Sequence, residues 1–423
     1  MRKIRKEQFQ FNFFDCEERK RTKRVQRIIR KVRKKRDQAV KELTLKFDGV
    51  IVQKTRVTKD EIQRSYDLVK EDLILGIKRA VINLEKFSQR QMDSYKNFDF
   101  EINPGVIVGQ KVIPIQRIGI YVPGGRYPLI SSLIMGAVPA RVAGVSELMV
   151  CSPPCYNGSV HPGILVSADI CGVNEIYKIG GVQAVAAMAY GTQSIPKVDK
   201  IVGPGNRYVT EAKKVVFGQV GIDFIAGPTE TLIIADKKAD PSFVAADLIA
   251  QAEHDENAEP ILVTDAEEWA DQVIEEIEKG LEKLKNSEVA ETSLNDRGII
   301  VIVKNWNEAI EFANQKAPEH LHLNLEKAEE LAPKLTHYGS LFIGPLSPVA
   351  LADYSSGLNH ILPTNGASKY TGGLNVRDYL KIQTLLKANK QGLQEIGPSA
   401  VHMAEAEGLE GHKNSLSIRL ERK

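Results

Sequence analysis

Cysteine is scarce, with four residues in 423, too few for a disulfide framework. Cys151 and Cys155 have the wrong spacing for a Cys-x-x-Cys pair and enclose two prolines, while Cys16 and Cys171 stand alone. Such usage fits a reducing cytoplasm. Long apolar runs are missing, so no membrane-spanning helix is expected. The first residues lack the apolar core of a signal peptide, and Glu7, Asp15, Glu17 and Glu18 argue against an organelle transit peptide. A charge excess of one sign is missing too. The formal net charge of +3 gives no reason to expect a nucleic-acid partner or an acidic surface. Linkers rich in Ser or Gly, low-complexity segments and short-period repeats are absent.

What remains is an ordinary globular composition, 43% hydrophobic and 26% charged, in a chain long enough for two core-sized domains plus appendages. One local excess of charge stands out. Residues 19–36 carry Arg and Lys with no acid, and Val25, Ile28, Ile29 and Val32 are interleaved at helical spacing. The pattern predicts an amphipathic helix packed by that stripe, with a solvated basic face. It has no interleaved aromatic side chain for stacking on bases, so nucleic-acid binding is the weakest reading. Thr58 and Glu61 form a capping-box pattern that opens a helical stretch running to about Met92.

From Gly105 onward short apolar runs alternate with helical segments and glycine-rich turns. Strands are predicted at 118–122, 147–151, 175–179 and 200–202, with helices at 131–143, 162–171, 182–190 and 208–216. After Gly227-Pro-Thr229 the series starts again, with strands at 231–235, 261–264, 299–303, 320–325 and 340–343 and helices between them. Repeated strand-helix order implies parallel sheets with helices on both faces. The fold class is therefore α/β, two consecutive doubly wound parallel-sheet units with a helical N-terminal segment. From about Leu374 the chain reads as helices plus a polar tail, an arm able to pack on another subunit.

Glycine-rich turns at 123–125, 180–181 and 203–205 each stand between a strand end and a helix start, where backbone N–H groups suit phosphate. None fits G-x-G-x-x-G, and no acid follows the first unit at the place of a ribose partner. Tight-turn geometry explains such glycines equally well. Among the histidines, His320 lies in Ala317-Pro-Glu-His-Leu-His-Leu323. There strand alternation puts Glu319, Leu321 and Leu323 on one side and His320 and His322 on the other. An acid beside an imidazole at a strand start could serve as a general acid/base pair, or be an ordinary polar strand edge. His360 follows the Asp353 segment, His412 lies in the tail, and His161 and His337 come with no other cue.

Residues 239–254 frame a further candidate. Asp240 suits a helix N-cap and Pro241 its first position, while Phe243, Val244, Leu248 and Ala252 make a face to bury. Gln251 and His254 project together from the last turn. They are either a wet helix end or two ligands of a site completed by an Asp and a distant His. A neutral Gln in such a set keeps the ion electrophilic, since one carboxylate leaves Zn²⁺ a net positive charge.

Taken together, Gly119-Ile-Tyr-Val-Pro-Gly-Gly125, Gly180-Gly-Val-Gln-Ala-Val-Ala187, Val198-Asp-Lys-Ile-Val-Gly-Pro-Gly-Asn206, Ile225-Ala-Gly-Pro-Thr-Glu230, Gln251-Ala-Glu-His254, Ala317-Pro-Glu-His-Leu321, Asp353-Tyr354, Asn359-His-Ile-Leu-Pro-Thr364 and Glu405-Ala-Glu-Gly-Leu-Glu-Gly-His412 closely resemble the histidinol dehydrogenase family. The resemblance implies oxidation of L-histidinol to L-histidine through the aldehyde, the last step of histidine biosynthesis, with two NAD and one zinc per site. It implies zinc ligands Gln251, His254, Asp353 and His412, and Glu319 and His320 as the acid/base pair. Tyr121, Gln183 and Asn206 match NAD-contacting positions. Thr229, Gln251, His254, His320, Asp353, Glu407 and His412 match substrate-contacting positions. It also implies a homodimer whose tail enters the partner's site.

The expected division is an N-terminal segment (1–25), a first α/β domain (26–121 plus 230–373), a second, NAD-binding domain (122–229) and a C-terminal arm (374–423). The departures are Thr229 where Ser is usual, Ser347-Pro-Val-Ala-Leu-Ala352 where an acidic stretch ends in Gly, and Leu358 where a small or polar residue is common. They bear on substrate fit more than on reaction type. The alternative is therefore a related zinc/NAD dehydrogenase of another small polar alcohol, such as a sulfopropanediol. A binding protein on the same fold is disfavoured because every expected ligand and both acid/base residues are present.

Overall fold

The structure, a computed structural model, describes residues 1–9, 18–124 and 127–422. Asp15, Cys16, Glu17 and Gly125 of the first glycine turn lie outside them. Strand β1 (Arg2–Arg5) precedes helices α1 (Glu18–Asp48), α2 (Lys59–Leu68) and α3 (Glu71–Met92). The basic helix forms as expected, with Val25, Ile29 and Val32 buried and the stripe continuing through Ala39, Val40 and Leu43. It kinks at Arg36 (φ +50°), whose guanidinium donates to the carbonyls of Tyr190 and Gly191 at 2.9 and 2.6 Å. The Thr58–Glu61 capping box also forms. The stretch to Met92 is two helices rather than one, because Val69 and Lys70 are extended.

Strands β2 (Phe98–Asn103) and β3 (Val106–Pro114) form an antiparallel hairpin. The next unit comprises β4 (Arg117–Tyr121), α4 (Ile130–Val142), β5 (Glu147–Ser152), α5 (Pro162–Ile170), β6 (Glu175–Lys178), α6 (Gly181–Tyr190), β7 (Lys200–Val202), α7 (Arg207–Val216) and β8 (Gly221–Ile222). Its sheet is parallel, in the order β6-β5-β4-β7-β8. Helices cover both faces, so Ile118, Ile120, Val150, Ile201 and Val202 are fully enclosed.

The second unit comprises β9 (Glu230–Ala235), α8 (Pro241–Ala252), β10 (Glu259–Thr264), α9 (Glu267–Leu281), α10 (Glu288–Asp296), β11 (Ile299–Ile302), α11 (Trp306–Lys316), β12 (His320–Asn324), α12 (Ala328–Leu331) and β13 (Ser340–Ile343). Its strands are parallel in the order β1-β11-β10-β9-β12-β13. The two consecutive doubly wound units are thus present. The first reverses its strand order between β4 and β7, the second between β9 and β12.

After α13 (Val349–Tyr354) the chain reaches β14 (Leu380–Ala388), α14 (Lys390–Ala406) and α15 (Glu410–Glu421). β14 corrects the purely helical reading of the last fifty residues. It pairs antiparallel with β3 from Leu380–Pro114 to Ala388–Val106 and completes a β14-β3-β2 sheet. Its apolar residues are mostly exposed, so no buried alternation announced it.

Packing also groups the N-terminal helices differently from the expected division. α1 lies on α6 and α7, and α3 lies on α4. Ile77, Ala80, Val81 and Leu84 join the core around Ile118 and Leu133, while the α1 stripe joins that around Ala186 and Val209. α1, α3 and β4 therefore accompany the 122–229 sheet, the β2–β3 hairpin joins β14, and Arg2–Arg5 edge the other sheet. An apolar stripe specifies burial without naming the sheet it will cover.

A buried ion pair braces the turn after β7. Lys213 Nζ donates to the Gly203 carbonyl at 3.0 Å and pairs with Asp223, whose Oδ2 accepts from the Gly203 N–H at 2.8 Å. Both side chains are almost wholly enclosed, at 4% and 0% exposure. Lys213→Met strands a buried carboxylate and is expected to cost about 3–5 kcal/mol, whereas Lys213→Met with Asp223→Leu should cost far less. Denaturant unfolding of the three proteins measures this.

Candidate active site

β9 and β12 pair with His320 opposite Thr231. Their amino ends therefore bring Thr229 and Glu230 beside Glu319 and His320. Thr229 Oγ1 donates to Glu319 Oε2 at 2.6 Å, and the Glu230 N–H donates to the same oxygen at 2.9 Å. His320 Nδ1 lies 3.1 Å from the Glu230 carbonyl. A carbonyl only accepts, so Nδ1 carries the proton and Nε2 keeps its lone pair. Nε2 is buried without a partner. The ring lies against Phe342, with centroids 6.0 Å apart, and Nδ1 is 3.7 Å from Glu319 Oε2.

Burial dominates the protonation of this pair. It lifts Glu319 to about 8 despite the opposing bonds from Thr229 and Glu230. It lowers His320 to about 4, against the pull of Asp353. The imidazole is thus a neutral base and the carboxyl a neutral acid near pH 7.

Helix α8 forms with Asp240 accepting from the Ser242 N–H as N-cap and Pro241 in the first turn. Val244, Leu248 and Ala252 are buried as expected, but Phe243 is 45% exposed and leaves that face. The helix ends at the amino edge of β9 and β12. There Gln251, enclosed at 3% exposure, is held at both ends. Its Oε1 accepts from Thr231 Oγ1 at 2.6 Å, and its Nε2 donates to Thr229 Oγ1. A hydrogen-bonded path therefore runs Thr231, Gln251, Thr229, Glu319.

Asp353, at the end of α13, is raised by burial, with His320 and His254 opposing the shift through their charge. Gln251 and Asp353 thus neighbour Glu319 and His320, and His254, exposed just past the end of α8, is near enough for its charge to act on His320 and Asp353. His360 joins them. Its Nδ1 is 3.1 Å from the Asp353 carbonyl and 3.7 Å from Asp353 Oδ1, its Nε2 is 3.2 Å from Ser132 Oγ, and burial lowers it to about 4. Sequence reasoning gave His360 no role and missed Ser132. The seven-residue spacing from Asp353 carries no periodic signal, since α13 ends at Tyr354.

Glu407 and His412 are not brought to this cluster within the chain. Both are exposed, on an arm in which α15 packs chiefly on α14. Among the described residues no group of three or more His, Cys, Asp and Glu side chains is arranged to hold a metal ion. The three nearby donors nevertheless have the chemistry of a zinc set. The bond from Thr231 orients Gln251 Oε1 and leaves it a lone pair to give.

The turns that hold Gly181 and Gly203 meet Tyr121 at the carboxyl edge of the first sheet, where its strand order reverses. The Tyr121 hydroxyl accepts from the Gly181 N–H at 3.0 Å. Gly203 has φ +112°, and a Cβ there would lie 2.2 Å from the Tyr121 carbonyl. At Gly180 a Cβ would lie 2.6 Å from Pro153. Beside them the buried Gln183 amide has both polar atoms unpartnered. Asn206 caps α7, accepting from the N–H groups of Tyr208 and Val209 at 3.0 and 3.2 Å. Orphaned amide atoms beside a turn with no room for a side chain fit a dinucleotide.

The sequence profile described as histidinol dehydrogenase matches residues 15–420. The chain belongs to the histidinol dehydrogenase family. A histidinol dehydrogenase of Methanocaldococcus jannaschii is 46% identical over 91% of this chain and 89% of that protein. One of Oceanobacillus iheyensis is 44% identical over 91% and 90%. The crystal structure of histidinol dehydrogenase from Elizabethkingia anophelis superposes with a TM-score of 0.89 at 38% identity, covering 97% of each chain.

The departures from the histidinol dehydrogenase pattern find physical accounts. The Thr229 hydroxyl donates to Glu319 and accepts from Gln251. Ala352 lies within helix α13 and is not among the residues of positive φ, so its Cβ is tolerated. Leu358 packs with Phe342, Val349 and Ala352.

Thr229→Val keeps the shape but leaves two buried groups short of a partner, worth about 1–3 kcal/mol. The expected result is a kcat lowered about 10–100-fold, with Thr229→Ser near wild type. Where Glu319 must act as a base it has to lose its proton, so the rate should rise with pH through about 8. A pH profile of Glu319→Gln should lack that limb.

Proposed function

We propose that this chain oxidises L-histidinol to L-histidine through the aldehyde, using NAD twice and a zinc ion held by Gln251, His254, Asp353 and His412. The observation that carries the reading is the buried, unpartnered Nε2 of His320 beside Glu319. A neutral imidazole fixed as the Nδ1–H tautomer takes a hydroxyl proton at Nε2. The Glu230 carbonyl then stabilises the positive ring through the Nδ1–H bond. NAD, when bound, accepts the hydride. In the second oxidation Glu319 takes a proton from the water that adds to the aldehyde, while the Thr229 hydroxyl and the Glu230 N–H steady its carboxylate. Zinc, when bound, supplies a positive centre that anchors the neutral nitrogens of the substrate.

Tyr121, Gln183 and Asn206 are the NAD-contacting residues in this reading. Thr229, Gln251, His254, His320 and Asp353 contact the substrate, together with Glu407 and His412 from a second copy of the chain. A homodimer with exchanged arms is supported by the exposure of Met403 on α14, Ile418 on α15 and Leu409 between them. Among the described residues no helix is long and apolar enough to cross a membrane. The proposed compartment is the cytoplasm, in keeping with the free thiols of Cys151, Cys155 and Cys171.

Purified protein is expected to reduce two equivalents of NAD per L-histidine formed, and to lose the activity on chelation and regain it with zinc. Faster turnover of a sulfonated propanediol than of L-histidinol would overturn the reading. Mixed dimers of His412→Ala and His320→Ala subunits should recover activity that neither parent has. Continued inactivity in exchanged dimers would place each site within one chain.

A further inference from the structure

We infer that Lys316 is a positioning residue for the acid/base pair, acting through the Glu230 peptide. The inference rests on the functional reading above. Lys316 is the last residue of α11, and its side chain is only 4% exposed. Its Nζ lies 3.2 Å from Glu230 Oε2 and 2.8 Å from Glu259 Oε2. Burial opposes its charge, but the two carboxylates more than offset that and hold its pKa above the usual lysine value. The other oxygen of Glu230 accepts from the Asn365 N–H at 2.8 Å, so this carboxylate is fixed from both sides.

The backbone of the same residue serves the chemistry. The Glu230 N–H holds the Glu319 carboxyl, and its carbonyl fixes the tautomer of His320. Lys316 also sits at the head of the segment that delivers both groups. Ala317 follows in the left-handed region at φ +52°, its carbonyl accepting from Ser368 Oγ at 2.7 Å. The carbonyls of Pro318 and Glu319 accept from the N–H groups of Gly339 and Ser340, each at 2.9 Å. One ammonium thus ties the strand that carries the hydrogen-bonding peptide to the segment that carries the reacting side chains.

Stability alone gives a weak account of this arrangement. Burying charges is expensive, and apolar side chains of similar volume often serve stability as well or better. Geometry gives a stronger one, because a misplacement of about 1 Å can cost on the order of 10²-fold in rate.

The test compares Lys316→Met, Lys316→Arg, Glu230→Gln and Glu259→Gln in the zinc-loaded dimer. Kinetics with L-histidinol and NAD are measured beside the ¹⁵N resonances of the His320 ring, identified from their loss in His320→Gln. Lys316→Met should lower kcat on the order of 10²-fold with KM for L-histidinol unchanged, and His320 should lose its single Nδ1–H tautomer. Lys316→Arg should recover part of both. Glu230→Gln should lower kcat and disturb the tautomer, while Glu259→Gln, which removes only the outer carboxylate, leaves both unchanged. If Lys316→Met does not fold, the contrast between Glu230→Gln and Glu259→Gln decides. Wild-type kcat in folded Lys316→Met, or equal effects of the two Gln variants, would overturn the inference. The tautomer is read without substrate, so failure of wild-type protein to oxidise L-histidinol would count against the functional reading and leave this test standing.

Discussion

The parallel register of β9 against β12 is the constraint on which the site depends. With His320 opposite Thr231, the Glu230 carbonyl meets the imidazole and the Glu230 N–H meets the carboxyl of Glu319. A one-residue slip would turn every side chain of β12 to the other face. His320 would then face away from Phe342, and Leu321 and Leu323 would leave the core in which they are fully buried. Hydrophobic burial along the strands thus sets the geometry of the chemistry at their ends.

The two sheets meet the reaction with opposite polarity. The first presents the carboxyl ends of its strands, where order reverses and glycines let backbone segments pack closely, the place where doubly wound folds hold nucleotides. The second presents the amino ends of β9 and β12, so its reacting groups leave the strands directly or sit one or two residues before them. α8 runs antiparallel to the strands it covers, so its last turn arrives at that same edge. Gln251 reaches Thr229 and, through it, Glu319 for this reason, and His254 follows just past the helix end.

Much of this was legible in the sequence, and the gaps have physical causes. The strands and helices from Arg117 to Ile343, the two-residue β8 excepted, were readable because buried parallel strands leave short apolar runs between capped, periodic helices. β14 was not, because a half-exposed strand mixing Lys, Gln and Leu carries no clear period. The Gln251–His254 turn and the Glu319–His320 pair were visible as local patterns, and the family resemblance assigned their roles. His360 and Ser132 come together only in the folded chain, from segments far apart with no shared motif. The placement of α1 and α3 on the first sheet was equally hidden, since a stripe of valines and isoleucines fits any apolar surface of its own width.

The capping of α7 by Asn206 has a consequence for what the proposed NAD site can recognise. With its oxygen committed to two backbone N–H groups, Asn206 can offer a ligand only its amide hydrogens. Tyr121 is constrained alike, because its oxygen already accepts from Gly181 and burial keeps the phenol protonated. At these two positions the proposed NAD site gives hydrogen bonds, while the unpartnered Gln183 amide adds one donor group and one acceptor. It suits a molecule rich in lone pairs, such as the phosphate oxygens and ring nitrogens of a dinucleotide, and it discriminates by chemistry without the acidic ribose partner that the sequence lacks.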